Sequence, residues 1–348
     1  VDASGAGIGC AVSRRHDRLD EDDVRVRPGR GKSRPRSKEC PAHASATSGT
    51  VVTVDRGRFT VTLDDGRTVY AMKARELGRK GLAVGDGVDL VGDLADLGSA
   101  GEAMARVVRR HHRRSVLRRT ADDADPDERV IVANATALAI VTATTNPDPS
   151  LGLIDRALVA AYDAGLRPMM LVTKSDLRPG DDLLAAYAPL GLQVFVIPRG
   201  HPGEDLRAAL QDQVTVMVGH SGVGKSTLVN ALVPGADRLT GGVNVVTGKG
   251  RHTSTSAIAL ALPDGGWIID TPGIRSFGLA HVDVQRIIEA FPDLHDGTEH
   301  CPRACSHDEA DCGLDAWATH QPEAISQRLA SLRRLLASLD DSRRPSER

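Results

Sequence analysis

Aromatic residues are scarce in this chain: four Phe, three Tyr and two Trp, 3% of 348 residues. A binding mode built on base stacking is therefore thinly supplied. No apolar run approaches the roughly 20 residues that a membrane-spanning helix needs, so a membrane partner is not expected. A secretory apolar segment is also missing; Gly5 to Val12 is small and glycine-rich, and Arg14-Arg15 then intervene. Cysteines number five, and three of them, Cys301, Cys305 and Cys312, crowd near a histidine while Cys10 and Cys40 stand alone. That spacing suits a metal, not a disulfide framework, and points to a reducing, cytoplasmic compartment. Net charge is small, 44 − 46 = −2, so no overall field draws the chain to nucleic acid.

The uneven distribution of charge says more than its sum. Val24 to Lys38 carries Arg25, Arg27, Arg30, Lys32, Arg34, Arg36 and Lys38 with no acid, and Pro28, Gly29 and Pro35 oppose a helix. Residues 1–46 read as a disordered basic arm, either a solubilising tail or an RNA contact. From Gly49 onward, β-branched and polar residues alternate, with turns at Arg56-Gly57 and Asp65-Gly66. With Gly87 to Val91 and Met104 to Arg110, these strands suggest a small barrel of the oligonucleotide-binding type. A purely structural barrel fits the same pattern, and Phe59 and Tyr70 are expected in its core. Arg106 to Arg119 reads as a basic linker, solvated or neutralised by phosphate.

From Val130 the texture changes to alternating strands and helices, as in a mostly parallel sheet covered on both faces. Strands are expected at Met169–Thr173, Gln193–Ile197, Val214–Gly219, Ser256–Leu262 and Trp267–Asp270. Helices are expected at Leu153–Ala164, Leu183–Ala188, Asp205–Leu210 and Lys225–Leu232. A last helix, His320 to Leu339, has Ile325, Leu329, Leu332, Leu336 and Leu339 at helical spacing.

The strongest signal is Gly219-His220-Ser221-Gly222-Val223-Gly224-Lys225-Ser226-Thr227, which matches a P-loop between an apolar strand and an amphipathic helix. Glycines let backbone N–H groups curl around phosphates, Lys225 supplies positive charge, and the Ser226 hydroxyl suits a magnesium ion. Downstream, the strand WIID leads into Asp270-Thr271-Pro272-Gly273; Asp270 suits magnesium through water, and Gly273 lets a backbone N–H approach the terminal phosphate. Upstream, Thr173-Lys174-Ser175-Asp176 follows a strand and fits a guanine reader. Guanine presents N1–H and its 2-amino group as a donor pair for the Asp176 carboxylate, whereas adenine would leave that charge unpaired. Lys174 is expected over the base edge. These motifs call for GTP or GDP with magnesium.

The order of the motifs is unusual: the base reader precedes the P-loop. With the preceding barrel and the following cysteine cluster, residues 45–340 resemble the ribosome-small-subunit-dependent GTPase A (RsgA) family of circularly permuted GTPases. Termini of such domains lie close together, so a permuted sheet can still close. The resemblance implies a first switch at Gly248 to Thr255, with Thr253, or alternatively Thr255, on magnesium and His252 as the group that positions the attacking water. Ile274 stands where many GTPases have a catalytic glutamine and cannot orient water, so hydrolysis is expected to be slow alone and stimulated by a partner. Gly222 replaces the asparagine of potassium-activated relatives, so no potassium dependence is expected through that ligand. Val196-Ile197-Pro198-Arg199-Gly200, after the next strand, lacks the usual serine of the base-flanking motif.

Cys301-x3-Cys305-x-His307-x4-Cys312 offers three thiolates and an imidazole, a closed structural set for one zinc ion. Both gaps are one residue shorter than is common in the family, so His300 and His295 remain alternative ligands. The expected organisation is a basic arm (1–46), an oligonucleotide-binding-like barrel with a basic linker (47–119), a circularly permuted α/β GTPase domain (120–281) and a helical zinc-binding region (282–348). The resemblance implies a monomer acting in late maturation of the small (30S) ribosomal subunit. It would bind rRNA and not DNA, dock as the GTP form and release on hydrolysis. A guanine-nucleotide-sensing RNA-binding module with negligible turnover is the alternative, and an ATPase a further one.

Overall fold

The computed structural model describes residues 45–55, 57–77, 81–95, 104–120, 128–236, 257–271, 279 and 281–343. It begins with five strands: β1 (Thr47–Asp55), β2 (Arg58–Leu63), β3 (Thr68–Lys73), β4 (Gly87–Val91) and β5 (Ala105–Arg110). Antiparallel pairs β1–β2, β2–β3, β4–β5 and β1–β4, with β3–β5 running parallel, close these strands into a barrel. The alternation read in the sequence sends Phe59, Val61 and Leu63 of β2 inward with Val51, Val69, Val88, Leu90 and Val107. Closure requires Gly49, because a Cβ there would stand 2.7 Å from the Thr62 carbonyl oxygen. Phe59 is buried as expected, but Tyr70 is not: it is half-buried on the outer face, with the Arg58 guanidinium 5.5 Å from its ring centroid.

The expected basic linker is structured, which corrects that reading. Arg106–Arg110 lie in β5, and Val116 onward forms β6 (Val116–Thr120), paired antiparallel with β7 (Glu128–Ala133). Three of its basic residues are met by carboxylates of the barrel. Asp86 is fully buried and holds Arg113 at 2.7 Å, while Asp89 takes His111 at 2.8 Å and Arg109 at 3.1 Å. Burial works against the Asp89 carboxylate, but hydrogen bonds from His111 and Ser48 and the nearby Arg109 hold it below its ordinary value. Leu117 of β6 packs with Val132, Leu138 and Ile154, so a division at residues 119/120 falls inside a strand that belongs to the next core.

That core surrounds a sheet in the order β10-β9-β8-β11-β13-β12. In chain order it is built from β8 (Ala137–Ala143), α1 (Leu151–Asp163), β9 (Arg167–Thr173), α2 (Asp181–Tyr187), β10 (Gln193–Ile197), α3 (Glu204–Leu210), β11 (Val214–Val218), α4 (Lys225–Leu232), β12 (Ile258–Ala261) and β13 (Trp267–Asp270). Strands β10, β9, β8, β11 and β13 run parallel, and β12 is antiparallel to β13. Period-two alternation splits each strand between two cores. Leu138, Ile140, Met170, Val172, Val216 and Ile269 face α1, whereas Ala139, Val141, Met169, Leu171, Met217 and Ile268 face Leu206, Leu210, Leu228 and Leu232 of α3 and α4. At the far edge, Thr53 of barrel strand β1 pairs with Ile258 of β12, so barrel and α/β unit share one eleven-stranded sheet.

The C-terminal region adds α5 (Val284–Ile288), α6 (His295–Thr298), α7 (Gly313–Ala318) and α8 (Glu323–Arg343). Asp283 caps α5 by accepting from the Gln285 N–H at 3.0 Å. Leu329, Leu332, Leu335, Leu336 and Leu339 of α8 join the core of α1 rather than forming one of their own. Arg334 fixes the contact: it lies 3.3 Å from Asp155 of α1 and 4.7 Å from the Tyr187 ring centroid.

Candidate nucleotide site and metal tetrad

Parallel strands deliver their carboxyl ends to one edge of the sheet, the usual place for a ligand in such folds. Here β9 ends at Thr173, β11 at Val218 and β13 at Asp270, which brings the three sequence motifs together despite their permuted order. Glycine at position 219 is required by packing: a Cβ there would meet the Val141 carbonyl oxygen at 2.4 Å. Gly222 and Gly224 adopt φ of 83° and 93°, in the left-handed region. The chain thereby folds back and enters α4 with Gly224 as N-cap and Lys225 as the first helical residue. Ser221, Ser226 and Thr227 are exposed at this edge, while Val223 is buried as the anchor of the loop.

The Lys225 ammonium lies 2.5 Å from Asp270 Oδ1 and 3.2 Å from the Thr271 carbonyl oxygen. Thr271 is held in turn by its hydroxyl, which donates to the Met217 carbonyl at 2.8 Å. A cation and a carboxylate thus sit paired where phosphate and its counter-ion belong. Thr173 plays a different part from a base contact. It is buried, and its hydroxyl reaches the Val223 carbonyl oxygen at 2.5 Å and the Thr142 carbonyl at 3.2 Å. It ties the base-reading strand to the P-loop. Lys174 adopts φ of 58°, which turns its side chain to the Asn146 carbonyl. Asp176 receives the Arg199 backbone N–H at 2.9 Å, so the serine-free loop still reaches the carboxylate. That contact was not legible in the sequence, because it depends on Arg199 being at φ of 50°. His252, Thr253, Thr255 and Gly273, with the basic arm through residue 44, lie outside the described residues.

The second cluster is local in sequence. The ligand atoms of Cys301, Cys305, His307 and Cys312 all lie within 4.8 Å of one another. Cys301 Sγ stands 3.6 Å from His307 Nδ1 and 3.8 Å from Cys312 Sγ. Thiolates ~2.3 Å and an imidazole ~2.0–2.1 Å from a common tetrahedral centre would be ~3.6 Å (S to N) and ~3.8 Å (S to S) apart, so the set fits an ion of zinc's size. The shortened gaps close because Ala304 and His307 adopt φ of 60° and 64°. His295 and His300 are exposed and not part of the set. Burial, together with the neighbouring thiols, pushes Cys305 up to about 12, while burial pushes His307 below its ordinary value. Three thiols this close ionise together only with a cation among them, and a neutral imidazole is the ligating form.

Comparison with known proteins agrees with this geometry. The family profile described as RsgA GTPase matches residues 110–280. A Pseudomonas aeruginosa protein named small ribosomal subunit biogenesis GTPase RsgA is 42% identical over 222 residues, 61% of this chain and 65% of that relative. The match therefore spans just under two thirds of that relative's length. A relative of the same name from Ectopseudomonas mendocina is 41% identical over 239 residues, 65% of this chain and 69% of its own. Among solved structures, YjeQ from Thermotoga maritima superposes with a TM-score of 0.61 at 24% identity, over 84% of this chain and 98% of that one. YloQ, described as a circularly permuted GTPase, gives 0.60 at 21% identity over 88% of this chain and 98% of its own. These two share the fold.

Proposed function

The chain belongs to the RsgA GTPase family, and from that premise we propose that it binds GTP with magnesium, hydrolyses it to GDP and phosphate, and does so in late maturation of the small ribosomal subunit. The observation that carries the reading is the Lys225–Asp270 pair at 2.5 Å, with Asp176 on the same sheet edge. Lys225 exchanges the Asp270 carboxylate for phosphate oxygens when nucleotide enters. Asp270, directly or through water, and the Ser226 hydroxyl would hold magnesium, with Thr253 as a further ligand. The ion would supply positive charge beside the terminal phosphate. Asp176 accepts from guanine, and Lys174 flanks the base. His252 positions the attacking water.

Several features support a ribosomal RNA partner. The outer barrel face carries Arg58, Tyr70 and Arg106, and its rim carries Arg109 and His112. The names of the relatives point to the small subunit. Pairing of Thr53 with Ile258, three residues beyond the proposed first switch, gives the barrel a direct link to the nucleotide state. The tetrad, as one structural zinc site, stabilises α6 and α7 against α8. The protein would act as a cytoplasmic monomer without DNA or membrane partners. A second reading, nucleotide sensing with negligible turnover, is favoured by Ile274 at the position of the usual glutamine.

The deciding experiment measures GTP hydrolysis with and without purified small ribosomal subunits, with Lys225→Ala as blank. Stimulation that disappears in the blank supports the proposal. Tight GTP binding without stimulation transfers the reading to the sensing module.

A further inference from the structure

We propose that Arg199 is a positioning residue that guards the guanine-reading carboxylate: its guanidinium occupies Asp176 until guanine displaces it, while its backbone N–H stays to orient the carboxylate. The inference rests on Asp176 being the base reader. In the loop Val196-Ile197-Pro198-Arg199-Gly200, Ile197 has no polar side chain and its backbone belongs to the β10–β9 ladder, while Pro198 has no N–H, which leaves Arg199 to orient the carboxylate from this side. Arg199 and Gly200 instead adopt φ of 50° and 70° in succession. Within that double left-handed turn the Arg199 N–H donates to Asp176 Oδ1 at 2.9 Å and its Nε stands 3.7 Å from Oδ2. A residue with a Cβ adopts such a φ at a cost, which the hydrogen bond offsets.

The two contacts differ in how they meet an incoming base. A carboxylate has about four lone-pair sites. Guanine needs one on each oxygen, so the N–H on Oδ1 and a guanine donor can coexist there. The guanidinium competes by charge instead: 3.7 Å from Oδ2, too far to fill a lone-pair site, it offsets the negative charge that a guanine donor would meet there. It is also the weaker contact, since the Arg199 side chain is 79% exposed and the Asp176 side chain 23%. Guanine binding therefore includes the loss of an exposed, salt-sensitive ion pair. A ligand that makes no use of Asp176 does not meet this barrier.

The test is titration of the full-length chain with fluorescent GDP at low and high salt. Asparagine tolerates the left-handed region and carries no charge, so Arg199→Asn removes the guanidinium without forcing the loop to change. At low salt it should tighten GDP about two- to fivefold, through faster association, and the gain should shrink at high salt. Arg199→Lys, which keeps the charge, should stay close to wild type. On an Asp176→Asn background, Arg199→Asn should change nothing. Unchanged or weaker GDP binding in Arg199→Asn at low salt overturns the proposal, as does an equal gain on the Asp176→Asn background. If Asp176→Asn alone leaves the preference for GDP over ADP intact, the base-reader assignment itself fails, whatever Arg199 does.

Discussion

The nucleotide site and the metal tetrad assemble their residues by opposite means. Thr173 meets Val223, and Lys225 meets Asp270, across long sequence separations because β9, β11 and β13 run parallel and end together. Cys301, Cys305, His307 and Cys312 span twelve positions and meet because Ala304 and His307 turn left-handed within short loops. The first site is held by a sheet packed on both faces. The second has three thiols close together, which ionise together only beside a cation. Position in the core reinforces the contrast. The nucleotide site sits on the rim of two cores, whereas Cys305 and Cys312 are buried in the core that α1 and α8 share.

Removing the cation should separate the two sites most sharply. Structural zinc in small modules is worth on the order of 10 kcal/mol at neutral pH. Cys312→Ser should reduce zinc from one per chain to none by elemental analysis. Amides of residues 295–318 should then lose hydrogen-exchange protection while those of β8, β9 and β11 keep theirs. Equal loss of protection in the strands would show that the tetrad also holds the sheet.

Next in size is the reverse disturbance, confined to the strand ends. Lys225→Ala should lower GTP turnover by roughly 10²–10³-fold, about 3–4 kcal/mol, through lost charge stabilisation. Zinc content and thermal midpoint should stay near wild type, because Lys225 contributes no packing to either core. Asp176→Asn should follow, with GTP binding weakened by about 1–3 kcal/mol and preference over ATP largely lost. A nucleotide competition assay reads both quantities.

The smallest effect concerns the barrel. Asp89 is held below its ordinary value of 3.8. A depressed carboxylate contributes stability above its unfolded pKa and loses it as pH falls through the folded one. Asp89→Asn should therefore cost about 1 kcal/mol or less at neutral pH, since His111 and Arg109 are well exposed. The difference from wild type should shrink as pH falls below about 4 and vanish only below the folded value, read in denaturant titrations.

Much of the nucleotide site was legible as text. The P-loop, the Asp270 motif and the Asp176 motif each follow an apolar strand, and strand ends are where such residues act. The tetrad was legible for a different reason: its ligands are near neighbours, so spacing alone constrains them. Tyr70 was misread as core, since period-two alternation fixes which residues share a face but not which face is inward until the barrel closes. The basic run from Arg106 was misread as a linker because partners of three of its residues, Asp86 and Asp89, come from β4 and the turn before it. Thr173 was assigned to the base, yet it staples β9 to the P-loop, a contact between residues fifty positions apart.

The sequence by itself determined the chemistry on offer: a P-loop pattern, a Thr-Lys-Ser-Asp motif after a strand, a thiolate–imidazole set, and the permuted order that joins them to a barrel. These depend on residue type and short spacing, which a linear pattern carries in full. Only the tertiary structure decided which groups face each other across long separations. It paired Lys225 with Asp270, placed Arg199 on Asp176, joined β1 to β12 and seated α8 on α1. Such contacts are set by how sheets twist and cores fill, and that information is spread over the whole chain rather than written in any one segment.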